Sequence, residues 1–172
     1  MKKIVLFAGI LAFLLACSQP QDIFALARDG RAKQVARLLK EGADPNQTDA
    51  NGRTPLMHVN DEPTARVLLE AGADPNARDR FGQTALVWTR SAAVVRALLE
   101  ARADPNARDK DENTPLMRAK NADVARALLA GGANVNARST GGYTALMLVR
   151  KPDVVGVLIE AGADINAKAD NG

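Results

Sequence analysis

The chain has 172 residues, a formal net charge of +3, 3% aromatic residues, and one each of cysteine, histidine, tryptophan and tyrosine. A lone cysteine excludes an intramolecular disulfide, so packing has to supply the stability. One histidine, one cysteine and no repeated Ser/His/Asp set leave little for nucleophilic catalysis, and neither a phosphate-cradling Gly-rich loop nor a metal-ligand spacing is present.

The first segment reads as a secretory signal. Lys2 and Lys3 precede an unbroken apolar run of thirteen residues, Ile4 to Ala16. A membrane span needs about 20 apolar residues, whereas a signal h-region needs roughly 7–15. A retained N-terminal anchor is the alternative. The ending Leu14-Leu15-Ala16-Cys17 resembles the bacterial lipobox, in which the cysteine is acylated and becomes the new N-terminus. That resemblance implies a signal peptide over 1–16, lipidation at Cys17 and a linker over 17–21. Ser18 is similar to the residue that sorts such proteins to the outer membrane, which implies a lipid-anchored envelope protein facing the periplasm. Removing Lys2 and Lys3 from the 23 basic side chains leaves 21 against 20 acids, a net charge of +1. Near-neutral bulk charge gives no reason to expect nucleic acid as a partner, and membrane contact is expected through the lipid alone.

Beyond the linker the chain repeats itself at a period of thirty residues. The copies run 49–78, 79–108, 109–138 and 139–168, with a divergent copy at 22–48 and the start of an incomplete sixth at 169–172. A period of about 20–50 residues is the signature of a solenoid, whose units cannot bury their apolar faces alone. Thr54-Pro55, Thr84, Thr114-Pro115 and Thr144 suit helix starts, a capping hydroxyl with proline tolerated in the first turn. A second helix starts near Pro63, Ser91, Asn121 and Pro152. It carries the stripes Ala65, Leu68, Leu69; Val95, Leu98, Leu99; Ala125, Leu128, Leu129; and Val155, Leu158, Ile159. Gly42, Gly72, Gly132 and Gly162 close it, and Arg102 stands where a fifth glycine is expected. Glu112 likewise replaces the glycine found at Gly52, Gly82 and Gly142.

These motifs, T-P-L-M, L-L-E-A-G-A-D-P-N and D-x-x-G, resemble the ankyrin repeat over residues 22–168. The resemblance implies an all-α solenoid of helix-turn-helix units joined by hairpin-like loops. It also implies a binding module with no cofactor. The family unit is about 33 residues, and three residues are missing here between the T-P-L and L-L motifs of the later copies, which clips the first helix. Met57, Val87, Met117 and Met147 stand where the family usually has histidine, so its hydrogen bond to the threonine should give way to apolar packing.

Carried over by position, the family's contact surface gives the tips Ala50, Asn51 and Arg53; Arg80, Phe81 and Gln83; Lys110, Asp111 and Asn113; Thr140, Gly141 and Tyr143. Phe81 and Tyr143 serve either as exposed anchors or as side chains folded on the neighbouring tip. Trp88, equivalent to His58, Arg118 and Leu148, faces the same choice between contact and packing between repeats. Arg90, Lys120 and Arg150 form a basic column one repeat apart, either a solvated edge or a reader of acidic surface. A second column, Arg78, Arg108, Arg138 and Lys168, sits beside Asp49, Asp79 and Asp109 and can be neutralised by them. Asp44, Asp74, Asp104 and Asp164 read as turn residues, not as an acid/base pair.

The expectation is therefore a non-catalytic envelope module that holds a protein partner with an acidic or polar contact surface. Two sharper forms remain open: an inhibitor or immunity protein occluding an envelope-acting hydrolase or toxin, and a scaffold for an envelope enzyme. The apolar outer side of the last repeat, near Leu146, Val154 and Leu158, is expected to pack on a partner, another copy or further chain.

Overall fold

The computed structural model describes residues 22–171. The expected signal peptide and linker, with Cys17, and Gly172 lie outside the described residues. Helices, turns and irregular loops make up the described residues, with no strand among them.

The divergent first unit contains α1 (Ile23–Arg28) and α2 (Ala32–Lys40). In the following units the first helix shrinks to one four-residue turn. It is 3-10 at Pro55–His58 and Pro115–Arg118, and α-helical in α4 (Ala85–Trp88) and α7 (Ala145–Leu148). The second helices keep nine residues each: α3 (Glu62–Glu70), α5 (Ala92–Glu100), α6 (Ala122–Ala130) and α8 (Pro152–Glu160). Side-chain caps start three of them. Asp61 accepts from the Thr64 amide at 3.0 Å, Ser91 from Val94 at 3.4 Å and Asn121 from Val124 at 2.9 Å. Lys151 offers no such cap to α8, which relies on Pro152 in its first turn.

The threonines do not cap as the sequence suggests. The hydroxyls of Thr54, Thr84, Thr114 and Thr144 are buried without a hydrogen-bond partner. The reason lies in the single-turn helix, where the amide three residues on is already taken by the threonine's own carbonyl. Those bonds run from Met57, Val87, Met117 and Met147 at 3.0, 3.0, 3.1 and 3.1 Å. At Thr114 the backbone amide also donates to the Met117 sulfur at 3.4 Å.

Leu56, Leu68, Leu86, Leu98, Leu116, Leu128 and Leu158 are fully buried and run through the stack as one core. Each second helix packs on the next, α2 on α3, α3 on α5, α5 on α6 and α6 on α8. The buried stripe is wider than the triplets imply, because Thr64, Val94, Val124 and Val154 also face inward. In α8 the triplet fails: Val155 is half-buried and Ile159 is 50% exposed, while Val154, Val157 and Leu158 take the core. Ile159 matches Leu69, Leu99 and Leu129, each partly buried against the core, and α8, unlike the helices that carry them, has no helix after it among the described residues. Met147, Leu148 and Ile165 are exposed on the same unit.

Candidate protein-binding face

The hairpins owe their shape to one aspartate each. Asp49 Oδ1 accepts from the Asn51 and Arg53 amides at 2.7 and 2.9 Å. Asp79 does the same for Phe81 and Gln83, and Asp109 for Asp111 and Asn113, at 2.8 to 2.9 Å. The left-handed residue completing the turn is Gly52 or Gly82 in the first two, and Glu112, at φ 61°, in the third. One backbone bond then fastens each tip to the next: Arg80 N to Asn51 O, Lys110 N to Phe81 O, Thr140 N to Asp111 O and Asp170 N to Gly141 O, at 2.9 to 3.0 Å. The tips thus form a braced row, and Ala50, Asn51, Arg80, Phe81, Lys110, Asp111 and Thr140 are exposed along it.

Two aromatic tips behave differently. Phe81 is 56% exposed, the one aromatic among the large exposed apolar side chains of the described residues. Tyr143 is half-buried: its ring leans on Gly141, where an added Cβ would approach to 3.0 Å, and its hydroxyl accepts from Asn171 Nδ2 at 3.3 Å. Gln83 and Asn113 are half-buried too and turn inward; Asn113 Nδ2 donates to Asp109 Oδ1 at 3.1 Å.

The free oxygen of each hairpin aspartate meets a different neighbour. Asp49 Oδ2 lies 3.2 Å from His58 Nε2, and Asp109 Oδ2 accepts from Arg118 at 3.1 Å. In the unit between them the matching residue is Trp88, and Arg53 of the preceding unit lies over its ring at 3.6 Å, with Nε 3.8 Å from Asp79 Oδ2. Trp88 is half-buried against the core, and its Nε1 is buried without a partner. Burial alone would raise the Asp109 carboxyl. The Asn113 and Asp111 amides and Arg118 outweigh it and hold the group below the usual carboxylate range. Asp49 is held low in the same way, by the Arg53 and Asn51 amides and His58.

This corrects the charge assignment made from the sequence. Arg108 and Arg138 do not pair with the hairpin aspartates. Arg108 reaches Glu112 at 3.1 Å and the Arg138 carbonyl at 2.8 Å; Arg138 reaches Asp170 at 2.9 Å and the Lys168 carbonyl at 3.0 Å. The aspartates point inward: His58 and Arg118, nine residues on, reach Asp49 and Asp109, and Arg53, one unit back, stands 3.8 Å from Asp79 without a hydrogen bond.

The basic column lies in the turns between first and second helices. Arg90 and Arg150 are exposed and Lys120 is half-buried. Burial, then repulsion from Arg90, Arg118 and Lys151, holds the Lys120 amine below the ordinary lysine range. Lys151 donates to the Lys120 carbonyl, and Asn121 Nδ2 donates to the Arg90 carbonyl at 3.0 Å. Lys151 was not singled out in the sequence, because its repeat equivalents are Asp61, Ser91 and Asn121, which are caps and not cations.

Among the described residues no group of three or more His, Cys, Asp or Glu could hold a metal ion. Residues 23–109 and 89–169 match a family model described as ankyrin repeats, three copies. No curated protein matches the chain.

Proposed function

Because the chain belongs to the ankyrin-repeat family, we propose that it is a non-catalytic module, lipid-anchored through Cys17 at the outer membrane facing the periplasm, that holds a protein partner on its tips and first-helix face. Membership of the ankyrin-repeat family supports protein–protein interaction. The observation carrying the contact surface is Phe81, an aromatic left 56% exposed on a row of tips braced by backbone bonds. A rigid, exposed aromatic is the kind of anchor interfaces favour, since it binds with little ordering cost. Arg80, Lys110 and Asp111 flank it as adaptable polar contacts. Gln83 and Asn113 serve mainly to hold the hairpins, and Trp88 and Tyr143 contribute the edges they leave uncovered.

The test is crosslinking from intact envelopes with the anchor retained, comparing the wild type with Phe81→Ala. The variant is expected to lose the crosslinked partner while its stability changes by less than about 1 kcal/mol, against about 3–5 kcal/mol for truncating a buried aromatic. A large loss of stability with the partner retained would return Phe81 to the core and remove it from the site. In the same experiment Cys17→Ala is expected to release the protein from the membrane fraction; a mature N-terminus without an acyl mass refutes the anchoring.

A further inference from the structure

Arg90, Lys120 and Lys151 stand in three neighbouring turns: Lys151 Nζ donates to the Lys120 carbonyl, and Asn121 Nδ2, next to Lys120, donates to the Arg90 carbonyl at 3.0 Å. Lys120 is half-buried among them, and burial, then Arg90, Arg118 and Lys151, hold its amine below the ordinary lysine range. Arg118 already has a counter-ion in Asp109 at 3.1 Å. Arg90, Lys120 and Lys151 form no ion pair among the described residues. Two acids stand on the neighbouring helices without pairing with these three cations: Asp153 Oδ2 accepts from the Ala122 amide at 3.3 Å, two residues from Lys120, and Asp123 pairs with Arg126 at 3.3 Å. Arg150 is exposed and is not among the charges acting on Lys120.

A like-charge group at the mouth of a turn, partly withdrawn from water, destabilises the fold that carries it. Residues that work against stability concentrate where function requires them. We infer that Arg90, Lys120 and Lys151 form a carboxylate-binding subsite that takes adjacent acidic side chains from an extended segment of the protein partner. The inference rests on the reading of the chain as a protein-binding module and adds the chemistry of the segment it holds. Charge complementarity selects an acidic occupant over a neutral one, and three cations in neighbouring turns select clustered acids over single ones. The occupant relieves the repulsion, so binding and stability oppose each other in the free protein and support each other in the complex.

The probe is the blocked peptide acetyl-Glu-Glu-Glu-amide, with acetyl-Gln-Gln-Gln-amide and inorganic phosphate at matched ionic strength as controls, titrated into the full chain in detergent at low salt. Lys120→Met is expected to raise the melting temperature of the free protein by a few degrees and to weaken triglutamate binding at least tenfold. Triglutamate is expected to raise the melting temperature of the wild type and not of the variant. Arg90→Gln, which leaves the half-buried position untouched, is expected to weaken the peptide without reducing stability. A lower melting temperature for Lys120→Met together with unchanged binding by Arg90→Gln overturns the inference. Phosphate or triglutamine protecting as well as triglutamate overturns it also. A crosslinked envelope partner retained equally by wild type, Lys120→Met and Arg90→Gln, yet lost by Phe81→Ala, removes the subsite and leaves the protein-binding reading standing.

Discussion

Asp109 shows how a single side chain joins the turn to the helix behind it. One oxygen accepts two backbone amides and the other accepts from Arg118, with the carboxylate side chain only 3% exposed. Asp49 repeats the arrangement with His58, and in the last unit both members change together, to Ser139 and Leu148. Both carboxyls sit below their ordinary range when folded. The unfolded chain therefore binds protons more readily, and the sign follows: this contribution is complete above an unfolded value near pH 4 and is lost as pH falls through the lower folded values. Thermal melts should be flat from neutral pH to about pH 5 and fall below about pH 4. Asp109→Asn, which keeps the shape and loses the charge, should cost about 1–3 kcal/mol at neutral pH and give a shallower acid slope. An unchanged slope in that variant would mean that other carboxylates govern the acid transition. The link from the hairpin aspartate to the side chain nine residues on was not legible in the sequence. The turn role of such residues follows from local chemistry, but which side chain reaches the second oxygen depends on how the single-turn helix folds back over the hairpin.

At the scale of the element, helix starts and stops followed from local rules and the helix faces only in part. Left-handed closure was legible even where glycine is absent: Arg102 stands at φ 66° and Glu112 at φ 61°. The stripes were legible for α3, α5 and α6 and failed in α8, because a periodicity gives the face a helix can bury but not whether a neighbour covers it. The asparagine of the D-P-N segment carried a signal, its strict recurrence, that a turn reading left unused. Asn46, Asn76, Asn106 and Asn136 each donate to the carbonyl at the end of the next second helix, at 3.0 to 3.2 Å, and accept from an amide two residues beyond it, at 2.7 to 2.8 Å. Two substitutions test the element rules. Gly156 lies inside α8, where Arg66, Arg96 and Arg126 occupy the equivalent exposed sites, and an added Cβ would meet nothing within 4 Å. Gly156→Ala should stabilise by about 0.5–1 kcal/mol. Arg102→Gly should stabilise by up to about 1 kcal/mol, less the freedom it gives the unfolded chain. Urea unfolding measures both. A destabilised Arg102→Gly would show that the arginine side chain contributes more than its backbone strain costs.

Across the whole molecule each unit touches only its neighbours, so stability is a sum of unit terms and junction terms. The junctions here are of three kinds: leucine packing, the asparagine ladder and the single backbone bond between tips. A central unit has these on both sides, whereas the unit of α7 and α8 has its second-helix junction on one side only among the described residues, with Met147, Leu148, Ile159 and Ile165 exposed on it. That unit should open first. The chain's single tryptophan, Trp88, stands in the third unit and reports on the centre. Leu98 and Leu158 occupy equivalent positions and are both fully buried, which makes them a matched pair. Leu98→Ala should cost about 2–5 kcal/mol by Trp88 fluorescence in urea. Leu158→Ala removes the same atoms, but its effect on Trp88 is limited to the free energy holding the last unit to the stack, so the fluorescence midpoint should move much less. Amide exchange in α8 should meanwhile accelerate strongly. Equal shifts of the fluorescence midpoint for the two variants would show that all the units unfold together and that the junction on the α8 side is as strong as those at the centre.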